Sequence, residues 1–258
     1  MQAWSARILN DQQRDEMPLF SNEGLARLEK HVGYGVASPY PHLVLDGIFN
    51  DAALYEILRE WPSPNGAGLE THDDGTYVKK KIGTTWETNF GDRTRRYFAQ
   101  LGGPGFLKLL EHVTGISGLL PDPYMFGGGL HATASGGRLA MHADYNKHPI
   151  FRLDRRLNLL VYLNDGWTEQ NQGWLELWDH QMKACVRRVL PTFNRSVIFS
   201  TTSVSFHGQP EQIIGPPSLW RKSLALYYFS NGRPEESQLQ KSCSEHSTLW
   251  QERPLVGF

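Results

Sequence analysis

The chain has 258 residues, 40% hydrophobic and 21% charged, which allows a substantial buried core and excludes global disorder. Its formal net charge of −1 provides no overall field for nucleic acid or an anionic membrane. No stretch has the length and apolarity to span a bilayer, and the first residues lack the apolar core of a secretion signal, so a cytoplasmic protein is expected.

In chain order, Leu25, Leu28 and Val32 are spaced to line one side of a short helix starting near Asn22. After the apolar run at Leu43, Asn50 or Asp51 is placed to cap a helix carrying Leu54, Ile57, Leu58 and Trp61 on one side, stopped by Pro62. Ser63 to Gly91 is turn-rich, and its run Lys79, Lys80, Lys81 reads as a solvated loop. Two helices follow, Arg93 to Leu101 and Phe106 to Val113, separated by glycines and a proline, with Gly115 as the stop. From Tyr124 the texture changes to short apolar or alternating runs: Phe126 to Ala134, Arg138 to His142, Leu157 to Leu163, Trp174 to Trp178, Ala184 to Leu190, Ser196 to Ser200 and Ser223 to Phe229. Several strands at this spacing indicate a β-sandwich or barrel. Cys185 and Cys243 are too few for a disulfide framework and read as reduced thiols.

The chemistry concentrates near two histidines. His142 and Asp144 lie two apart at the end of an expected strand, where alternate side chains share a face about 6.6 Å apart, so both can reach one metal ion. His207, just after the run ending at Ser200, supplies a third ligand. Two imidazoles and a carboxylate on one face of an octahedral ion leave three positions open, the arrangement of non-haem Fe(II) oxygen chemistry. A 2-oxo acid fills two of these positions and dioxygen the third. His72, Asp73 and Asp74 repeat the short pattern but read as a turn with no strand leading into it, and are set aside. Arg221 stands at the mouth of an apolar strand, where a buried guanidinium needs an anion and its fork matches a carboxylate.

These segments, taken together and in order, resemble the prolyl 4-hydroxylase-like branch of the Fe(II)/2-oxoglutarate dioxygenase superfamily. The likeness is carried by Gly136 to Asp144, by Leu157 to Trp167 with Tyr162 and Asn164, by Gly173 to Trp178, and by Pro191 to Phe199 leading to His207 and Arg221. The resemblance implies a mainly β fold with bracing helices (α+β), a double-stranded β-helix of the jelly-roll or cupin-like kind. It implies one structural domain overall: an N-terminal appendage (1–40), a helical support region packed on the core (41–120), the catalytic double-stranded β-helix (121–235) and a C-terminal extension (236–258). It also implies that His142, Asp144 and His207 bind Fe(II), that Arg221 pairs with the distal carboxylate of 2-oxoglutarate, and that Tyr162 donates a hydrogen bond to that carboxylate. Ser223 fits the Arg-x-Ser pattern of some relatives. His131 lies near where relatives place a tyrosine facing the co-substrate, one residue off the family's spacing.

The expected reaction couples O2-dependent decarboxylation of 2-oxoglutarate, giving succinate and CO2, to oxidation of an unactivated C–H bond. Because Asp144 occupies the carboxylate position, no vacant site for a halide arises and halogenation is disfavoured. The expected substrate is a polar small molecule such as a sugar, an amino acid or a secondary metabolite, with neither nucleic acid nor membrane as partner and the oligomeric state left open. The alternatives are a peptidyl-prolyl hydroxylase of the same class and a non-catalytic jelly-roll binding module. The segment Tyr145 to Arg156, with Lys147, His148, Arg152, Arg155 and Arg156, either greets an anionic or polar substrate or forms a solvated turn held by Asp154. Trp167, Trp174 and Trp178 read as core and rim packing. Asn158 is either pocket-facing or on the outer face.

Overall fold

A computed structural model of the chain describes Ser5, Ile8 and residues 17–63, 68–84, 90–233 and 245–254. Helix α1 (Asn22–Glu29) begins where the Ser21 side chain accepts a hydrogen bond from the Gly24 amide. Leu25 and Leu28 are fully buried, whereas Val32, expected on the same face, is 86% exposed because the helix has already ended. Helix α2 (Asp51–Arg59) is capped by Asn50, whose side chain accepts from the Ala52 amide. Helix α3 (Asp92–Leu101) and helix α4 (Pro104–Thr114) follow, and Gly115 ends α4 in the left-handed conformation that glycine adopts without a Cβ penalty. No helix among the described residues is long and apolar enough to cross a membrane.

The remainder is antiparallel sheet. Its strands are β1 (His42–Asp46), β2 (Leu69–His72), β3 (Val78–Thr84), β4 (Leu120–Pro121), β5 (Gly129–Ala143), β6 (Asp154–Tyr162), β7 (Leu175–Trp178), β8 (Cys185–Val189), β9 (Arg195–Ser200), β10 (His207–Gln209), β11 (Trp220–Ser230) and β12 (Leu249–Gln251). Eight of them pair in the order β1-β9-β6-β11-β5-β10-β7-β8, a nearly closed jelly roll. β5 is one strand of 15 residues where Gly136 and Gly137 predict a break. Its first half pairs with β11 and its second with β10, so one strand serves both sheets. Gly136, at φ +77, sits between the two halves.

The strands are two-faced. In β6, Leu157, Leu159 and Val161 join Leu54, Leu109 and Leu110 in one core between helices and sheet, while Tyr162 faces a second core with Leu177, Val197 and Phe199 inside the roll. Leu19, Phe20, Leu25 and Leu28 from the first forty residues belong to the first core. Cys185 is a free, half-buried thiol, and Cys243 lies outside the described residues.

The segment expected as a turn-rich loop between Ser63 and Gly91 holds the hairpin β2–β3 instead, and β3 docks along β5. The lysine run masks the strand because charge interrupts its apolar pattern, while the β5 edge supplies the ladder hydrogen bonds that a solvated loop would lack. A bulge between Lys79 and Lys81 splits the run. Lys80 turns outward to the Ser135 carbonyl, and Lys81 turns inward.

Candidate active site

His142 and His207 are direct cross-strand partners on β5 and β10, so their rings lie side by side with centroids 4.4 Å apart. Asp144 follows two residues after His142 on the same face. Its carboxylate oxygens stand 3.7 Å from His142 Nε2 and 3.5 Å from His207 Nε2, and the three donor atoms lie within 4.8 Å of one another. Each imidazole donates its Nδ1 hydrogen to a backbone carbonyl, His142 to Ala140 at 2.9 Å and His207 to Ser205 at 3.0 Å. Both Nε2 lone pairs are thereby left pointing at the common centre, the outer support that metal-ligating histidines need. Gly208 allows the approach, since a Cβ there would sit 2.7 Å from the Ala140 carbonyl oxygen. This donor set fits a divalent ion such as iron(II).

The electrostatics agree. Burial pushes His142 down to about 3, its neighbour His207 adding to the effect, and burial also lowers His207. Both rings are therefore neutral and available. Burial works against ionisation of Asp144, but the Arg155 guanidinium, both imidazoles and the Asn158 amide outweigh it and hold the carboxyl well below its usual range. Arg155 Nη2 lies 3.2 Å from Asp144 Oδ2, and Asn158 Nδ2 donates to the same oxygen at 2.8 Å. Arg155 also donates to Asn158 Oδ1 through Nε and Nη2, at 3.1 and 2.8 Å, and its Cζ lies 3.5 Å from the Tyr227 ring centroid.

Arg155 therefore belongs to neither reading of the segment Tyr145 to Arg156. It is a buried strand residue, re-aimed by a bulge at Arg156 where β6 gains one residue against β11, so that Arg155 faces inward with Asn158. The available sequence signal was a polar pair three apart within an otherwise apolar strand. Elsewhere in that segment Lys147 pairs with Asp154 at 3.1 Å, Arg152 with Glu245, and His148 is buried.

Toward the interior, Arg221 donates through Nε to the Gly173 carbonyl at 2.8 Å and through Nη2 to the Tyr162 hydroxyl at 3.2 Å. Gly173, at φ +71, leaves room for it, since a Cβ there would lie 3.3 Å from Arg221 Cδ. Ser223 pairs with Tyr162 on one side and His131 on the other, and the three share an inward row. Burial raises Tyr162 against the opposing Arg221 charge, and burial followed by the Lys81 charge drives His131 well below its ordinary value. His131, Arg221 and Ser223 line the same cavity as the three clustered ligands, about 250 Å³ in volume.

His72, Lys81 and Trp250 also line this cavity, all from segments the sequence reading left outside it. Trp250 on β12 is the cross-strand partner of His142, with ring centroids 5.1 Å apart, and Tyr77 of the hairpin stacks on it at 4.9 Å. β12 is pinned beyond its end by Arg253, which meets the fully buried Glu176 at 2.7 Å. A strand does lead into His72, contrary to the sequence expectation, yet Asp73 and Asp74 accept from backbone amides of their own turn. Among the described residues the cluster able to hold a metal is His142, Asp144 and His207. Trp178 is fully buried and Trp167 donates to the Gln172 carbonyl, so both act in packing.

A jelly roll with two imidazoles and a carboxylate at its mouth defines a class, and residues 128–229 match the 2OG-Fe(II) oxygenase superfamily. Within that class the chain is similar to prolyl hydroxylases. The prolyl 3,4-dihydroxylase OGFOD1 of Ostreococcus tauri is 25% identical over 237 residues, covering 85% of this chain and 43% of that protein, so the chain spans less than half of that relative's length. The prolyl hydroxylase of Trichoplax adhaerens, solved with a hypoxia inducible factor peptide fragment, superposes with a TM-score of 0.55 at 14% identity over 89% of this chain and 94% of that one. HygX of Streptomyces hygroscopicus, solved with nickel, 2-oxoglutarate and hygromycin B, gives 0.51 at 12% identity over 80% and 93%. At these identities the structures speak for the fold.

Proposed function

We propose that the chain is an Fe(II)- and 2-oxoglutarate-dependent oxygenase that hydroxylates an unactivated C–H bond of a polar small molecule, such as a sugar, an amino acid or a secondary metabolite. The observation that carries this reading is the convergence of the His142, Asp144 and His207 cluster and of Arg221, held from behind by the Tyr162 hydroxyl, on one cavity. When bound, iron and 2-oxoglutarate supply O2 activation through decarboxylation to succinate and CO2. His142, Asp144 and His207 would hold the ion on one face and leave the opposite positions open. Arg221 offers its guanidinium and Tyr162 its hydroxyl to the distal carboxylate of 2-oxoglutarate, with Ser223 and His131 along the same wall. Arg155 and Asn158 keep Asp144 ionised and oriented. Trp250 and Tyr227 cover the cavity and restrict water.

A cavity of about 250 Å³ is at the small end for a ligand site, which favours a small substrate. Peptidyl-prolyl hydroxylation is the second reading, favoured by the similarity to a prolyl 3,4-dihydroxylase. A non-catalytic binding module is disfavoured by the intact donor set. Incubation with Fe(II), 2-oxoglutarate and O2 should yield succinate, raised by the right member of a panel of sugars, amino acids and proline-containing peptides. His207→Ala should abolish that yield, and undiminished succinate from this variant sinks the reading.

A further inference from the structure

Four residues from four adjacent strands form one inward row: His72 on β2 pairs with Lys81 on β3, Lys81 with Thr133 on β5, and Thr133 with Arg221 on β11. Cross-strand partners project to the same face, so the row is a stripe across the cavity wall. Lys81 and Arg221, two strands apart, are separated by about 9–10 Å at their backbones. The two cations thus rise from separate strands of the cavity wall, with Thr133 between them. Gly83, the next inward position on β3, leaves space rather than a side chain, and a Cβ there would come within 3.3 Å of His131 and 3.5 Å of His72.

Arg221 is held by the Gly173 carbonyl and the Tyr162 hydroxyl and faces the co-substrate end. Lys81 is different, because among the described residues its ammonium forms no hydrogen bond and no ion pair. Asp144 already meets Arg155, and Glu70 is exposed, 3.8 Å from His72 Nε2. Burial pushes the Lys81 ammonium down to about 8 even though the Asp144 charge opposes it, with Arg221 and Arg155 adding to the fall. With iron and the 2-oxoglutarate dianion loaded, their charges cancel and the Arg155–Asp144 pair cancels, which leaves the cavity with a surplus of positive charge.

Resting on the oxygenase reading above, we propose that Lys81, flanked by His72, is an anion subsite for the carboxylate of the substrate, so that the substrate class is a small carboxylic acid, free amino acids included. A single ammonium beside an imidazole suits a monoanion. A phosphate dianion would be only half neutralised there, because Arg155 is engaged by Asn158 and Asp144 and the strands of the wall offer no helix N-terminus. An internal peptidyl proline brings no carboxylate of its own, so the subsite separates the two substrate readings.

The test is calorimetric titration of free amino acids and of their carboxamides into protein loaded with Ni(II) and 2-oxoglutarate, together with capped proline peptides. In the wild type at least one acid should bind about tenfold or more tighter than its amide, a difference of about 1.4 kcal/mol. Lys81→Met should erase that preference and Lys81→Arg should restore most of it, while 2-oxoglutarate affinity in both stays within about twofold of wild type, about 0.4 kcal/mol. Retained nickel and 2-oxoglutarate binding certifies that each variant is folded. If Lys81→Met weakens 2-oxoglutarate as Arg221→Ala does, Lys81 serves the co-substrate and the proposal fails. Absence of any acid-over-amide preference in the wild type, or capped peptides binding as tightly as the acids, also overturns it. A wild type that binds nickel but no 2-oxoglutarate overturns the oxygenase reading beneath.

Discussion

The inner wall formed by β5, β6, β10 and β11 and the cover formed by β2, β3 and β12 enclose the same cavity on different physical terms. The wall is held by continuous ladders with an apolar core on each face, and its polar side chains have fixed partners: Nδ1 hydrogens on carbonyls, Asn158 on Asp144, Arg221 on Gly173. The cover pairs with the sheet through the edges of β5 and is tied to β7 by Arg253 on Glu176; β2 has no buried residue, and among the described residues the Lys81 ammonium has no hydrogen bond or ion pair. Geometry that must be reproduced to fractions of an ångström, for a metal and a chelating co-substrate, sits on the wall. The groups proposed above to select among substrates, Lys81 and His72, sit on the cover, where sequence can change without disturbing the core.

The largest contrast between wall and cover should come from Asp144→Ala and His72→Ala. Asp144→Ala should reduce Ni(II) or Fe(II) binding below calorimetric detection and remove succinate formation, whereas His72→Ala should leave metal stoichiometry at wild-type level. Metal lost from the second variant and kept by the first would invert the comparison. Next, Arg155→Met removes the support of a ligand rather than the ligand, and metal affinity should fall by about 10–100-fold. An unchanged affinity would mean that Asn158 alone orients Asp144. Arg221→Ala should then weaken 2-oxoglutarate by about tenfold, or about 1.4 kcal/mol, with metal affinity unaffected. Unchanged co-substrate affinity would move the anchor to another cation of the wall.

A further effect is on stability against pH. His142 ionises near 6.5 when unfolded and, pushed down by burial, near 3 when folded. Between these values the unfolded chain binds the extra proton, so the stability of the metal-free protein rises with pH by up to about 1.4 kcal/mol per unit from this group. Urea midpoints of the metal-free protein should therefore fall from pH 6 to pH 4. His142→Gln should flatten part of that fall, His207 contributing in the same direction. A slope identical in the variant would mean that His142 is protonated in the folded state as well.

The wall was legible in sequence because its signals are local. His142 and Asp144 share a strand end, and β6, β7, β8, β9 and β11 were located within a few residues, whereas Tyr162 and Ser223 were reached through the family resemblance rather than from a local pattern. The helix caps at Asn50 and Gly115 were legible for the same reason, since a capping side chain or a left-handed glycine acts within one turn. What escaped depends on pairing at a distance. Lys81 reads as solvated until β5 gives β3 an edge, and Arg155 reads as a loop residue until a bulge against β11 turns it inward. Trp250 joins His142 across more than a hundred residues of chain, a relation no local pattern encodes.

β5 receives partners from β3, β10, β11 and β12, segments drawn from nearly the whole length of the described chain. Met141 and His142, near its end, lie between β10 on one edge and β12 on the other. Each amide proton there points to one edge or the other and is released only when that long-range pairing separates. The proposed ligand His142 is thus seated where both neighbouring strands are distant from it in sequence. The proposed ion site at this point is bordered by Trp250 and by His72 and Lys81 of the hairpin, so the strand that holds the ligand and the strands that border the site are built from different parts of the chain.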